Sequence, residues 1–261
     1  MRNASHPPVV LVIAGNDPSG GAGLAADIQA ITMAGAHPAP VAAALTLQDS
    51  RDVMEVMALD PAFVTAQAEA VLADMPVAAV KLGLLAAAGV GRAVAALLAE
   101  YPALPVVVDP VLAAGGGGRL AEDALLDVYL RELFPLAALV TPNAPESRRF
   151  APEAVDAAGR AQTILSTGAR HVLVKGADEA GPDVRNRLFG PSLQREYAWP
   201  RLPGSYHGSG CTLASAIAAR LALGSGMEDA VEQGQRYTWE ALQRGWQPGR
   251  GQHFPCRGPK P

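Results

Sequence analysis

The residues His207-Gly208-Ser209-Gly210-Cys211-Thr212 lead directly into an apolar stretch at 213–223, and their types and spacing suit the handling of an anion. Glycines at 208 and 210 let the backbone turn tightly and bring bare N–H groups close to a bound group. Ser209 is a candidate cap for the helix that follows. The first turn of such a helix presents unpaired N–H donors and the positive end of its dipole, a ready site for phosphate. Cys211 adds a polarisable side chain whose pKa is expected to fall at the helix terminus. A plain helix cap would explain the glycines equally well, so a second motif has to decide.

That motif lies near the start. Residues 9–14 form a short apolar, β-branched run, read as a buried strand. It ends in Gly15-Asn16-Asp17-Pro18-Ser19-Gly20-Gly21-Ala22-Gly23, and helical spacing follows over 24–33. Strand, glycine loop and helix in this order build small-molecule sites at the carboxyl edge of a parallel sheet. The loop lacks both the Gly-Lys-Ser/Thr ending of a Walker loop and the dinucleotide spacing. By spacing alone, a tight structural turn accounts for it as well.

These loops need a frame, and the pattern between them supplies one. Strands are predicted at 41–45, 78–82, 106–109, 137–141 and 171–175, and helices at 61–73, 90–100, 122–133 and 153–166. The alternation predicts an α/β fold, a mostly parallel sheet with helices on both faces. Polar–apolar alternation at 193–199, within a less regular patch at 184–200, predicts a small antiparallel addition. Helices at 211–223 and 227–244 finish the pattern, and the glycine- and proline-rich tail from 247 reads as a loop with a disordered end. One domain over 1–261 is expected, with an ordered core at about 8–246.

Composition fits that class. Hydrophobic residues make up 49% and charged ones 18%, the latter below the roughly 25% of an average soluble domain, as suits a sheet covered on both faces. A net charge of −4 gives no reason to expect nucleic acid or an anionic membrane as partner. Cys211 and Cys256 lack metal-ligand spacing, and a disulfide between them is not expected. No apolar run is long enough to span a membrane and no leader pattern opens the chain, so the cytoplasm is the expected location.

Ligands in open parallel sheets sit beyond the carboxyl ends of the strands, where Asp17, Gln48, Lys81, Asp109, Asn143 and Lys175 fall. Asp109 closes an apolar strand; it suits magnesium or simply starts a turn before Pro110. Asn143 and Glu146, three apart at a helix start, either face one ligand or form a capping box. Lys175, at a strand end, reads by itself as a solvated edge lysine.

Against this background a resemblance stands out. Residues 14–23, with Asp27 one turn on, are similar to the opening signature of hydroxymethylpyrimidine and phosphomethylpyrimidine kinases of the ribokinase-like superfamily. Ala44-Leu45-Thr46-Leu47-Gln48-Asp49-Ser50 and Val106-Val107-Val108-Asp109-Pro110-Val111-Leu112 resemble further blocks of that family. So do Thr141-Pro142-Asn143-Ala144-Pro145-Glu146, Val172-Leu173-Val174-Lys175-Gly176 and the closing block 207–212, all in the family's order. The resemblance implies a ribokinase-like three-layer α/β/α fold. It implies an ATP- and magnesium-dependent kinase of 4-amino-5-hydroxymethyl-2-methylpyrimidine and of its monophosphate, in thiamine biosynthesis.

It also implies roles. Cys211, Gly208, Ser209 and Gly210 would serve catalysis, and Gln48, Asp27 and Gly15 the pyrimidine. Asn143, Lys175 and Thr141 would meet ATP, and Asp109 and Glu146 the metal. A homodimer is the expected assembly. Departures are Asn16 for threonine, Leu84 for methionine, and four glycines at 115–118 where the family has a lysine after the alanine. Pyridoxal kinase is the close rival, a pyrimidine-binding protein without turnover the second alternative, and a cysteine hydrolase pairing Cys211 with His207 the outsider. Cys211, where sugar kinases and many pyridoxal kinases carry aspartate, favours the pyrimidine.

Overall fold

The fold comes from a computed structural model, which describes residues 6–112 and 124–258. The apolar run at the start becomes β1 (Val9–Asn16), buried from Val9 to Gly15. After α1 (Gly23–Met33) the chain returns as β2 (His37–Gln48), parallel to β1, and turns back antiparallel as β3 (Val53–Ala58). Then come α2 (Pro61–Asp74), β4 (Val77–Leu82), α3 (Ala88–Ala99) and β5 (Val106–Val108). The next described helix is α4 (Ala124–Val128), continued by a widened turn at Tyr129–Leu133 and a tight one at Phe134–Leu136. β6 (Leu139–Val140), α5 (Ala144–Phe150), α6 (Ala157–Leu165) and β7 (Val172–Val174) follow. A hairpin of β8 (Asp183–Gly190) and β9 (Leu193–Pro200) leads to α7 (Ser209–Ala222) and α8 (Met227–Gln243).

The strands form one sheet in the order β3-β2-β1-β4-β5-β6-β7-β8-β9. It is parallel from β2 to β7 and antiparallel at both edges. Because side chains alternate across a strand, β1 sends Leu11 and Ile13 into one core and Val10 and Val12 into the other. The first core is covered by α2, α3 and α6, the second by α1, α7 and α8. Three layers result, as the alternation of strands and helices implies.

Three expectations change. β3 goes unread in the sequence because it is an edge strand with most of its side chains exposed or half-buried, so its burial alternation is weak. The helix expected over 153–166 begins instead at Ala157, where the Asp156 carboxylate accepts the Gly159 N–H at 2.8 Å, and α5 is a separate, shorter helix before it. The tail does not stay loose. Phe254 and Arg257 are buried, Cys256 N–H donates to the Ala241 carbonyl, and the backbone of Phe254 pairs with Trp246. The glycines at 115–118 lie outside the described residues. Among the described residues no helix is long and apolar enough to cross a membrane.

The sheet's carboxyl edge is shaped by glycine. Gly23 opens α1 at φ +54, and a Cβ there would overlap the Gly15 carbonyl oxygen. A left-handed L-residue costs roughly 1–2 kcal/mol, and the overlap adds to it. Gly23→Ala is therefore expected to lose at least about 1–2 kcal/mol in urea unfolding; wild-type stability would show that the loop is not held in this turn.

Candidate active site

A cleft of about 490 Å³ lies over the carboxyl ends of the strands. Gly15, Asn16 and Gln48 line its β1–β2 end, Trp199 and Trp239 the β9 end, and the strand order sets Asp109, Lys175, Gly210 and Cys211 between them. Backbone pairing continues past β5, β6 and β7: Asp109 N–H donates to Leu82, Thr141 N–H to Val108 and Lys175 N–H to Pro142. Asp109 and Lys175 are thereby fixed at the cleft floor, with Thr141 buried behind them.

At the start of α7 it is Gly208, not Ser209, that occupies the cap position, at φ +76 with no side-chain cap. Ser209 is the first helical residue, so its expected capping role falls away. A Cβ on Gly208 would overlap the Gly21 carbonyl oxygen, so the two glycine turns are in contact. A Cβ on Gly210 would lie 3.1 Å from Lys175 Nζ and 3.6 Å from Asp109 Oδ2. A side chain at 210 would crowd the lysine head and push it back by a few tenths of an ångström. The free N–H groups, the lysine and the aspartate thus surround one point.

Lys175 Nζ donates to Asp109 Oδ1 at 2.8 Å, and Thr141 Oγ1 donates to the same oxygen at 3.0 Å. Burial pushes the Asp109 carboxyl up, but Lys175, Lys81 and the hydrogen bonds outweigh it and hold the pKa below the ordinary value. Thr141 itself is fully buried, with its hydroxyl committed to Asp109; it holds the aspartate instead of reaching a nucleotide as expected. Asn143 and Glu146 do form the capping box, with bonds of 2.7 and 2.8 Å, and both also line the cleft. Burial, reinforced by the neighbouring Asp109 charge, pushes the Glu146 carboxyl up to about 7 despite Lys175.

Asp27 corrects a second expectation. It is fully buried on α1, with Lys81 Nζ donating to its two oxygens at 2.8 and 2.9 Å and Ser215 Oγ at 2.7 Å. It is wholly out of water and does not line the cleft, so it does not face a substrate ring there. The pair braces α1, β4 and α7 together beneath the cleft, where Lys81 Nζ also faces Cys211 and Asp109. The Cys211 thiol moves opposite to the expectation: burial pushes its pKa up to about 11, although Lys81 opposes the shift. Among the described residues both cysteines are free.

Sequence reasoning passed over the partner of His207. Its Nε2 lies 2.8 Å from Asp17 Oδ2, and Asp17 also accepts from the N–H groups of Ser19 and Ala22. These bonds outweigh the burial that would raise the Asp17 pKa, and hold it below the ordinary value. An aspartate inside a glycine loop was the available signal. At the other end, Gln235 Oε1 accepts from Asn186 Nδ2 and Trp199 Nε1. Because the indole N–H can only donate, the amide orientation is fixed, and its buried nitrogen has no partner among the described residues.

Sheet order, layers and cleft define a ribokinase-like α/β/α kinase fold. The solved structure of Staphylococcus aureus pyridoxal kinase in complex with AMP-PCP and pyridoxal superposes with a TM-score of 0.87, at 25% identity over 97% of this chain and 94% of that one. The family profile described as Phosphomethylpyrimidine kinase matches residues 17–257, and the chain belongs to that family. The hydroxymethylpyrimidine/phosphomethylpyrimidine kinase of Mycobacterium bovis is 38% identical over 94% of this chain and 92% of its own length. The thiamine biosynthesis bifunctional protein ThiED of Geobacter sulfurreducens is 41% identical over 93% of this chain, which spans 50% of that longer relative.

The buried ion pair makes a clear prediction. Lys81→Met strands the Asp27 charge and is expected to cost about 3–5 kcal/mol in urea unfolding. Lys81→Met combined with Asp27→Leu should recover much of that loss. Equal stability of the single and double variants would contradict the bracing role.

Proposed function

We propose that this chain transfers the γ-phosphoryl group of ATP to the hydroxymethyl oxygen of 4-amino-5-hydroxymethyl-2-methylpyrimidine, and then phosphorylates the monophosphate, in the supply of thiamine. The observation that carries this reading is the convergence of the α7 start, Lys175 and Asp109 on one point, with the Gln48 amide at the substrate end of the same cleft. Family membership, and a relative at 38% identity over nearly its whole length, support the pyrimidine over pyridoxal.

In this reading the pyrimidine edge pairs with the Gln48 amide, donor and acceptor in one plane, and packs against the backbone at Gly15, where Leu84 takes up the space a side chain would need. ATP phosphates run toward Asn143 and Lys175. The N–H groups of Ser209, Gly210 and Cys211 hold the charge on the phosphoryl group in flight, the preorganised term that dominates many such reactions. Transfer forms the bond from the substrate oxygen to γ-phosphorus and breaks the bond to the ADP leaving oxygen. Cys211 Sγ takes the hydroxyl proton in the fraction of molecules that carry the thiolate.

Magnesium fits the donor set. Asp109 and Glu146 are two buried carboxylates at the cleft whose mutual repulsion a divalent cation would relieve, and magnesium is held by one or two carboxylates together with phosphate oxygens. When bound it supplies charge neutralisation for the phosphates. We also propose a homodimer and a cytoplasmic location, as the sequence reading expects.

The test is mass spectrometry of products from ATP, magnesium and an equal mixture of hydroxymethylpyrimidine and pyridoxal, followed by pH–rate profiles. The pyrimidine should be consumed with the higher kcat/KM. A base with a pKa near 11 is mostly protonated at neutral pH, so log kcat should climb with pH through 7–9. Cys211→Ala should abolish the climb and cost roughly 10²–10⁴-fold. A flat wild-type profile with near-native Cys211→Ala turnover would remove the thiol from the chemistry, and preferential turnover of pyridoxal would overturn the substrate.

A further inference from the structure

The segment after α8 carries a charge into the interior. Arg257 is 2% exposed, and its three nitrogens each reach a different element. Nη2 donates to the Gly21 carbonyl in the first glycine turn, Nε donates to Thr212 Oγ1 at 2.8 Å, and Nη1 donates to Gln29 Oε1 on α1 at 3.4 Å. Thr212 Oγ1 passes the connection on, donating to the Gly208 carbonyl at 2.8 Å. A Cβ on Gly208 would come within 2.8 Å of Arg257 Nη2, so the guanidinium lies directly behind the α7 start. One side chain thus grips both glycine turns, through Gly21 on one side and Gly208 on the other.

None of its described hydrogen-bond partners is a carboxylate, and no ion pair to Arg257 occurs among the described residues. A buried charge without a counter-charge is costly unless something supplies one. Guanidinium stays protonated in proteins, so the cost is not avoided by losing the proton. Asp27 and Asp17 offset part of that cost through space without touching the guanidinium, and an anion on the far side of Gly208, where the N–H groups of α7 open into the cleft, would offset more.

We propose that Arg257 is a positioning residue for phosphoryl transfer: its fork sets the separation of the two glycine turns, and its charge, held behind the α7 start, strengthens that start's hold on the transferring phosphoryl group. This rests on the kinase reading above. Arg257 does not touch the ligand; it acts through Gly21, Thr212 and Gly208. A small displacement of groups remote from the reacting atoms can cost on the order of 10²-fold in rate, and that is the effect expected here.

The test compares Arg257→Gln, Arg257→Lys and Thr212→Val with the wild type in two assays. In the kinase assay, Arg257→Gln should lower kcat by about 10²-fold with the pyrimidine KM within about threefold. Arg257→Lys keeps the charge without the fork and should fall between Gln and wild type. Thr212→Val cuts the relay to Gly208 and should lower kcat about fivefold or more at unchanged KM. In calorimetry with inorganic tripolyphosphate, Arg257→Gln should weaken binding about tenfold or more and Arg257→Lys distinctly less. This second assay separates the two claims: a wild type that binds tripolyphosphate but phosphorylates no pyrimidine defeats the kinase reading and leaves the role of Arg257 at the anion site to the variants. If Arg257→Gln matches the wild type in both assays, or if the wild type does not bind tripolyphosphate, the proposal fails. Should both Arg257 variants fail to fold, Thr212→Val decides: native kcat and native tripolyphosphate binding would reduce Arg257 to a structural latch.

Discussion

The contact between two glycine turns sets the geometry of everything above the sheet. The Gly21 carbonyl presses against the Gly208 α-carbon so closely that no side chain fits at 208. Residues 187 positions apart are thereby held at backbone distance, which fixes the α7 start relative to β1. From that one contact follow the direction of the free N–H groups, the approach of Gly210 to Lys175, and the depth of Cys211. Glycine is needed at 208 for two reasons that agree, the positive φ and the absent space.

Charge is arranged around that contact in layers. Deepest is the Lys81–Asp27 pair, entirely out of water and closed by Ser215. Above it Lys175 and Asp109 pair at the cleft floor, with Lys175 about one-eighth exposed. The deep pair is committed to structure. The upper pair keeps an accessible side, and its partner Glu146 is ionised only against burial and a like charge. An anion or a divalent cation entering here meets groups whose desolvation has already been met by folding, which is what preorganisation means physically.

Much of this was legible in the sequence, for reasons that particular residues make plain. The buried parallel strands announced themselves because a strand covered on both faces is uninterruptedly apolar, as at 9–14 and 106–108. Polar residues ending such runs, Asp109 and Lys175, fall at the carboxyl edge of the sheet, where the cleft lies. What stayed hidden depends on long-range partners. Asp27 was misplaced because a lone aspartate on a helix gives no sign that Lys81, 54 residues away, will neutralise it in the core. The Cys211 pKa was misjudged because the helix terminus is local and visible, whereas the burial that overrides it is tertiary. Arg257 was lost in a glycine- and proline-rich tail whose composition suggests disorder, though three hydrogen bonds hold it.

In the kinase reading, the phosphoryl group would be held at the start of α7 between Lys175 and the Gly208–Gly210 turn. The most direct measurement is a crystal structure with ADP, magnesium, hydroxymethylpyrimidine and aluminium fluoride as a mimic of the group in flight. The fluoroaluminate is expected on the N–H groups of Ser209, Gly210 and Cys211, within hydrogen-bond reach of Lys175 Nζ and in line with the hydroxymethyl oxygen. A fluoroaluminate seated on the 15–23 loop, or out of reach of Lys175, would contradict it.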